Sequence, residues 1–246
     1  MATDSLDMDR AAAVNRQGAT GYVNNRPSHA SADHSKIIRH WRDRSWIARL
    51  SKSTMDRGVA LVSLIFLAPL LLTIAVLVKL SSPGPALFKQ SRHGLDEKPF
   101  QVLKFRTMYV ETCAGGAADK VVQAQRVDPR ITPLGRFLRR SSLDELPQLI
   151  NVLRGEMSLV GPRPHAISHD VHYSSLIPHY RLRHNMMPGI TGLAQVKGFR
   201  GGTETLESME RRIDLDLEYI QNWSLALDVK IMVMTLFTTI NDSNAY

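Results

Sequence analysis

The stretch G-V-A-L-V-S-L-I-F-L-A-P-L-L-L-T-I-A-V-L-V, residues 58–78, decides how this chain is organised. It carries no charged residue. It is also long enough to cross a bilayer as a helix, because a hydrocarbon core of about 30 Å takes about 20 residues. Pro69 lies at its centre, and a proline removes one helical hydrogen bond and bends the helix. The stretch therefore predicts a membrane-inserted helix with a kink at Pro69.

Basic residues flank this apolar stretch on both sides, with Lys52 and Arg57 just before it and Lys79 just after it. Membrane proteins keep such residues on the cytoplasmic side, so both ends are predicted to be cytoplasmic. A re-entrant helical hairpin that bends at Pro69 satisfies both flanks. A single kinked crossing is the alternative, since prolines do occur inside transmembrane helices.

The segments on either side give the domain plan. Residues 1–35 have almost no large apolar side chains and are predicted to be a disordered tail. Residues 36–80 combine an interfacial helix, in which tryptophans alternate with arginines over residues 37–50, with the re-entrant helix. Residues 81–246 form a cytoplasmic domain, in which strands over 86–90 and 100–108 pair as a short β-hairpin. The predicted fold class is α+β, mostly helical and monotopic, with interfacial amphipathic helices.

Composition narrows the function classes. The 246 residues carry a formal net charge of +8 that is spread along the chain. A dispersed positive charge suits contact with anionic membrane lipids. It does not indicate nucleic-acid binding, which would need a concentrated basic face. A lone cysteine, Cys113, excludes an intramolecular disulfide and fits a reducing compartment. Three histidines recur at helical spacing, but no cysteine or carboxylate completes a recognisable zinc set, and no zinc site is expected. They are His165, His169 and His172.

The segment S-L-D-E-L-P-Q-L-I-N-V-L-R-G-E-M-S-L-V-G-P-R-P, residues 142–164, carries the candidate chemistry. With Asp144 as N-cap, Pro147 falls in the first helical turn and Gly155 ends the helix. Asp144 and Glu145 then lie at the positive end of a helix, where phosphate binds. Two adjacent carboxylates can bind a divalent cation while one acts as nucleophile. An aspartate that merely caps the helix is the ordinary alternative.

The order of several motifs is similar to that in bacterial sugar transferases, the monotopic polyprenyl-phosphate phosphoglycosyl transferases. The motifs are K-F-R-T-M (104–108), D-P-R-I-T-P-L-G-R-F-L-R-R (128–140), the segment just quoted and P-G-I-T-G-L-A-Q-V (188–196). Two further segments, residues 200–212 and 216–225, look like those of undecaprenyl-phosphate glucose phosphotransferases. The resemblance covers residues 50–246. It implies a phosphotransferase of the bacterial inner membrane, with its catalytic domain on the cytoplasmic side.

The resemblance also implies roles for particular residues. Asp144 would attack the β-phosphorus of a UDP-sugar and release UMP, and undecaprenyl phosphate would then accept the sugar phosphate. Glu145 would be the ligand for Mg²⁺, which takes one or two carboxylates together with substrate phosphates. The expected substrate-binding residues are Lys104, Arg106, Arg136, Gln148, Asn151, Arg163 and Pro164.

Three questions stay open on the sequence. The resemblance puts glucose first as the sugar, with galactose or an N-acetyl sugar as alternatives, in the first membrane step of exopolysaccharide or capsule synthesis. A non-catalytic membrane adaptor is the rival from another class. A homo-oligomer is open as well.

Overall fold

The computed structural model describes residues 40–110, 128–199 and 205–241, with side chains in the last segment described up to residue 238. The predicted tail and the start of the predicted interfacial helix lie outside these residues. The helices are α1 (Trp46–Ser81), α2 (Pro133–Arg140), α3 (Gln148–Arg154), α4 (Ile167–Leu176), α5 (Leu193–Val196), α6 (Leu206–Asn222) and α7 (Leu225–Asn241). The strands are β1 (Leu87–His93), β2 (Pro99–Phe105), β3 (Ser158–Val160) and β4 (Gly189–Thr191). Short 3-10 helices cover Trp41–Asp43, Leu95–Glu97, Leu143–Glu145 and Tyr180–Asn185. This composition confirms the mostly helical prediction.

Helix α1 contains the whole apolar stretch. The Ser45 hydroxyl caps its start by accepting a hydrogen bond from the Ala48 amide at 3.2 Å. Its 36 residues extend about 54 Å and run through Pro69 without interruption. The predicted hairpin is therefore not confirmed. The interfacial helix predicted over residues 37–50 is not a separate element either, because its residues from Trp46 onward belong to α1.

One face of α1 lies against the domain and the other is open. Among the described residues, α1 is the one helix long and apolar enough to cross a bilayer, and only 11% of its most apolar 18-residue window is buried. The more buried residues recur every three or four positions and so share one face. They are Lys52, Asp56, Ala60, Leu64, Leu67, Leu71, Ile74 and Val78. The opposite face exposes large apolar side chains, among them Val62, Ile65, Phe66, Leu72 and Val76. Such a face fits a lipid environment.

Near its beginning, α1 is fastened to the domain by a buried polar cluster, which we call the anchor cluster (Lys52, Asp56, Ser158, Tyr219, Trp223 and Asp228). At its centre, the Lys52 ammonium lies 2.7 Å from a carboxylate oxygen of Asp228. The Tyr219 hydroxyl and the Trp223 indole also donate to that carboxylate, at 2.7 and 3.1 Å. Asp228 is 0% exposed. Its charge is thus paired inside the protein with an ammonium that also lies 3.5 Å from Asp56.

The carboxyl-terminal end of α1 is fastened by Arg106. One guanidinium nitrogen of Arg106 donates to the Val78 carbonyl at 3.1 Å and to the Ser82 carbonyl at 2.6 Å. The other donates to the Pro83 carbonyl. Carbonyls at and just after the last turn of a helix lack the usual backbone donors, so an arginine that binds several of them is a suitable cap. Both ends of α1 are therefore bound to the same domain.

Strands β1 and β2 form the predicted hairpin. They pair antiparallel, with Leu87 opposite Phe105 and His93 opposite Pro99. The prediction of two paired strands is confirmed, although β1 continues three residues further than predicted and β2 ends at Phe105. A second sheet, in which β3 pairs parallel to β4, was not predicted. Strands of three residues carry too little pattern to be recognised in a sequence.

Candidate active site

Asp144 and Glu145 are presented by a 3-10 turn rather than by the first turn of an α-helix. Ser142 adopts a left-handed conformation, with φ 56°, and the 3-10 helix Leu143–Glu145 follows it. Helix α3 begins only after Pro147, which lacks an N–H and therefore suits a position ahead of the helix. The prediction that Asp144 is the N-cap is wrong. The prediction that Gly155 ends the helix is confirmed, because Gly155 has φ 76° and donates to the Val152 carbonyl.

Glu145 is held by two cations from separate parts of the chain. Lys104 on β2 places its ammonium 2.8 Å from one Glu145 oxygen. Arg163, in the loop after β3, forks across both oxygens, with 3.1 Å between Nη1 and Oε2. Burial alone would raise the pKa of Glu145, but the Arg163 and Lys104 charges outweigh burial and hold this pKa well below its usual range. Glu145 is therefore a permanent anion at neutral pH.

Asp144 lies beside the ion-paired Glu145, but its surroundings and its pKa differ from those of Glu145. Its side chain is 8% exposed, and it receives no hydrogen bond from any residue in the described part of the chain. Burial, with the neighbouring Glu145 charge as the second cause, raises the pKa of Asp144 to about 6. Lys104, Arg139 and Arg163 act in the opposite direction. A buried carboxylate without donors is costly to the fold, and such groups concentrate at functional sites.

The carboxylate oxygens of Glu145 and Asp144 are donors of the chemical type that Mg²⁺ binds. Mg²⁺ takes hard oxygen ligands and needs only one or two from the protein when substrate phosphates supply others. A carboxylate has about four lone-pair positions. Lys104 and Arg163 take three of those on Glu145, which leaves one on Oε2. The carboxylate of Asp144 is the second hard donor at this place.

The remaining predicted substrate-binding residues do not join this group as free side chains. Arg106 is committed to the end of α1, as described above. Asn151 is 0% exposed and binds the hairpin, since its amide donates to the Gln101 carbonyl at 2.7 Å and accepts from the Leu103 amide at 3.0 Å. Arg136 is exposed on α2, and Gln148 is buried at the start of α3. Pro164 contributes a carbonyl, which accepts from Arg92 at 2.8 Å.

A cavity opens beside Glu145. Its volume is about 230 Å³, and its lining is mostly apolar with several hydroxyls. Gln195 lies in its wall, and its amide nitrogen donates to the Ile190 carbonyl at 3.1 Å. The Gln195 carbonyl oxygen is buried and has no partner within the described residues. The cavity thus combines room for a ligand with a fixed acceptor in a wall that Glu145 also lines.

The three histidines weighed for zinc do not converge. Instead, the structure brings the potential ligand atoms of His93, Asp170 and His184 within 4.8 Å of one another. Asp170 is already engaged there, by the His93 ring at 2.8 Å and the Tyr180 hydroxyl at 2.6 Å. Burial, and after it the Arg183 charge, lowers the pKa of His184 to about 4. This group is a hydrogen-bonded network of the interior.

The sequence reasoning missed two arginines that bind the loop carrying Arg163. Arg183 donates to the Arg163 carbonyl, and Arg92 donates to the Pro164 carbonyl. Arg183 is 2% exposed, which is rare for an arginine. The sequence gives no signal for this role, because residues 180–186, Y-R-L-R-H-N-M, are mostly polar and do not distinguish Arg183 from its exposed neighbour Arg181.

The comparisons with known proteins agree on one family. The profile of the bacterial sugar transferase family matches residues 47–242. A UDP-glucose:undecaprenyl-phosphate glucose-1-phosphate transferase of Caulobacter vibrioides is 55% identical over 197 residues, which cover 80% of this chain and 72% of the relative. The Escherichia coli protein of that name is 53% identical, over 82% of this chain and 43% of the relative. The exopolysaccharide production protein PSS of Rhizobium leguminosarum is 44% identical, over 79% of this chain and 98% of the relative. The chain thus spans less than half of the Escherichia coli relative.

Proposed function

Since this chain belongs to the bacterial sugar transferase family, we propose that it transfers glucose 1-phosphate from UDP-glucose to undecaprenyl phosphate and releases UMP. The observation that carries this proposal is the pair of unlike carboxylates. Asp144 is buried and receives no hydrogen bond from a described residue, next to a Glu145 that two cations hold ionised. The names of the relatives from Caulobacter and Escherichia coli support glucose as the sugar.

In the proposed reaction, an Asp144 oxygen attacks the β-phosphorus of UDP-glucose. The bond between this phosphorus and the bridging oxygen breaks, and UMP leaves with that oxygen. The glucose phosphate is then an acyl phosphate on Asp144. A phosphate oxygen of undecaprenyl phosphate attacks the same phosphorus, restores the carboxylate and forms undecaprenyl diphosphate glucose. The absence of donors to Asp144 among the residues that the structure describes supports this role, because a hydrogen-bonded carboxylate is a weaker nucleophile.

Positive charge has to face the diphosphate during both steps. Lys104 and Arg163 are placed to provide it, since each Nη of Arg163 has a second N–H beyond the one it gives to Glu145 and can direct it at a phosphate oxygen. We further propose that Glu145 holds Mg²⁺. The ion would supply additional charge neutralisation at the phosphates.

A UMP-release assay tests the proposal. Membranes containing the protein receive undecaprenyl phosphate, Mg²⁺ and one sugar from a panel of UDP-glucose, UDP-galactose and UDP-N-acetyl sugars. We expect UMP with UDP-glucose at the highest kcat/KM, its loss on treatment with EDTA and its return with Mg²⁺. Fastest turnover of another sugar corrects the substrate. No UMP from any sugar supports the rival adaptor function and overturns the enzyme proposal.

We also propose that the protein is monotopic, with its catalytic domain on the cytoplasmic side of the bacterial inner membrane and Pro69 at the bend of α1. The attachment of both ends of α1 to one domain, through Lys52 at the beginning and Arg106 at the end, supports this topology. At Pro69, the Thr73 hydroxyl donates to the proline carbonyl at 2.8 Å, a bond that favours helix bending.

Single cysteines test the topology. Thr54 and Ser81 lie near the two ends of α1 and are both exposed. Each is replaced by cysteine in a Cys113→Ser background, which removes the native thiol. A membrane-impermeant thiol reagent should label both cysteines in inside-out vesicles and neither in right-side-out vesicles. Labelling of the two cysteines from opposite sides would establish a crossing helix and refute the monotopic topology.

A further inference from the structure

Two arginine side chains donate hydrogen bonds to the backbone of the loop G-P-R-P-H-A, residues 161–166. The Arg183 guanidinium donates to the Arg163 carbonyl at 2.5 Å. Arg92 donates to the next carbonyl in the loop, that of Pro164, at 2.8 Å. Both bonds go to the backbone of the residues that present the Arg163 side chain. They therefore fix the point from which this side chain extends.

Arg183 is itself locked in place. Its Nη2 and Nε lie 2.8 and 3.2 Å from one oxygen of Asp216 on α6. Arg183 and Asp216 are each 2% exposed. The Arg183 Nη1 lies 2.6 Å from the Nδ1 of His165, in the same loop. Arg183 thus connects α6 to two residues of the loop with bonds that include every nitrogen of its guanidinium.

The other end of this chain of contacts is the carboxylate pair. The Arg163 side chain forks onto Glu145, while its carbonyl is bound by Arg183. A buried ion pair adds little to stability when compared with apolar residues of the same volume. What it supplies here is a fixed geometry, which matters because misplacing a catalytic cation by about 1 Å costs on the order of 100-fold in rate.

We propose that Arg183 and Asp216 are positioning residues that set the guanidinium of Arg163 against Glu145 and against the diphosphate of the substrate. This inference rests on the proposed function for the identity of that diphosphate. It assigns to Arg183 and Asp216 no contact with substrate. Their whole effect on the reaction passes through Arg163.

A double-mutant cycle separates this role from simple structural support. Arg183→Lys keeps the charge but cannot reach all of the partners of a guanidinium. We expect it to lower kcat/KM for UDP-glucose about 10- to 100-fold in the natural background. In an Arg163→Met background it should lower kcat/KM further by less than about 3-fold, because the residue through which it acts is gone. Asp216→Asn should show the same coupling with a smaller first effect. Equal losses in both backgrounds overturn the proposal.

Two further measurements distinguish a failure of the positioning role from a failure of the proposed function or of folding. The affinity for UDP, measured by titration calorimetry in nanodiscs, is a readout that does not need turnover, and Arg183→Lys should weaken it only when Arg163 is present. A protein that binds UDP with this pattern but releases no UMP contradicts the proposed function and leaves the positioning role supported. A natural protein that binds no UDP, or an Arg183→Lys protein that binds it as tightly, overturns the positioning role.

Asp228→Asn is the matched control for folding, since Asp228 is also a buried carboxylate paired with a buried cation. It should lower the melting temperature at least as much as Asp216→Asn while leaving kcat/KM per folded molecule unchanged. A fall in kcat/KM with Asp228→Asn as large as that with Asp216→Asn would mean that any buried ion pair has this effect, and would refute the specific role.

Discussion

Asp228 and Asp144 are both buried carboxylates, and the protein treats them in opposite ways. Asp228 receives hydrogen bonds from Lys52, Tyr219 and Trp223. Asp144 receives none from the described residues, and its pKa rises to about 6. Its neighbour Glu145 takes the bonds of the nearby cations instead. The first arrangement makes a carboxylate inert and holds α1 in place. The second leaves a carboxylate with free lone pairs, which is the condition for a nucleophile.

The two clusters also differ in what each carboxylate does for stability. Removing one partner of a satisfied buried pair leaves an uncompensated charge, which is strongly destabilising. Removing a carboxylate that no donor satisfies relieves a desolvation cost that the fold already bears. The anchor cluster should therefore control folding with little effect on rate, and Asp144 should control rate with little effect on folding.

Asp144→Asn tests this contrast with the largest expected effect. The amide has the same shape but cannot attack phosphorus, so kcat for UMP release should fall by at least about 10³-fold. The melting temperature in detergent should stay the same or rise, because no hydrogen bond to a described residue is lost. Asp43→Asn, an exposed aspartate, is the control and should change neither quantity. Residual activity within about tenfold of the natural protein would exclude Asp144 as the nucleophile.

The second test acts on the other cluster. Asp228→Asn removes the nearer anion of the buried Lys52 ammonium and leaves only the Asp56 carboxylate, at 3.5 Å, so it should lower the free energy of unfolding by about 3–5 kcal/mol. Lys52→Met should have a similar cost. The double variant should lose less than the sum of the two single costs, because the ammonium and its nearer carboxylate are absent together, while Asp56 loses its cation whenever Lys52 is replaced. Denaturant titration measures the stabilities, and UMP release per folded molecule should remain constant. If the two single costs simply add, Lys52 and Asp228 do not act as a pair.

The contrast also explains which features could be predicted from the sequence. Periodicity and composition predicted the long apolar helix, the β-hairpin and the end of α3 at Gly155, because each depends on residues close together in the chain. The Asp144 cap was wrong because Ser142 adopts φ 56°, a conformation that residues other than glycine rarely take. Nothing in a serine signals it.

Roles of polar side chains were the hardest to predict, since a charged residue looks the same whether it faces substrate or backbone. Arg106 fell into a motif with Lys104, yet the structure commits Arg106 to the end of α1 and Lys104 to Glu145. The pairing of Arg183 with Asp216 joins residues 33 positions apart without any periodic pattern. Such pairs depend on how elements pack, which local sequence does not determine.

The dependence of kcat and of stability on pH gives a further test of Asp144, with an expected effect of intermediate size. Asp144 must be ionised to attack, and its pKa is about 6, so kcat should rise about tenfold between pH 5 and pH 7. The sign for stability is opposite. The pKa of Asp144 is near 3.8 in the unfolded chain and about 6 in the folded protein, so the folded state binds this proton more tightly. The tighter binding stabilises the folded state fully below about pH 4, and this contribution is lost as the pH rises through 6. Between pH 4 and pH 6, the melting temperature of the natural protein and that of Asp144→Asn should therefore depend differently on pH. Parallel curves would contradict the raised pKa.

Ser158→Ala is expected to give the smallest effect, and it asks whether the anchor cluster is as independent of the reaction as its geometry indicates. The Ser158 hydroxyl is buried and lies 2.7 Å from an Asp56 oxygen and 2.8 Å from the Val160 carbonyl, so its single proton can be donated to either acceptor. Its loss should lower the free energy of unfolding by about 1–2 kcal/mol, because buried acceptors lose a donor. Ser175→Ala, at an exposed serine, should stay within about 0.5 kcal/mol of the natural protein. Ser158 lies on β3, only five residues before Arg163 along the chain. A fall in kcat beyond the loss of folded protein would therefore show that the anchor cluster reaches the active site through β3, and the separation of the two clusters would be wrong.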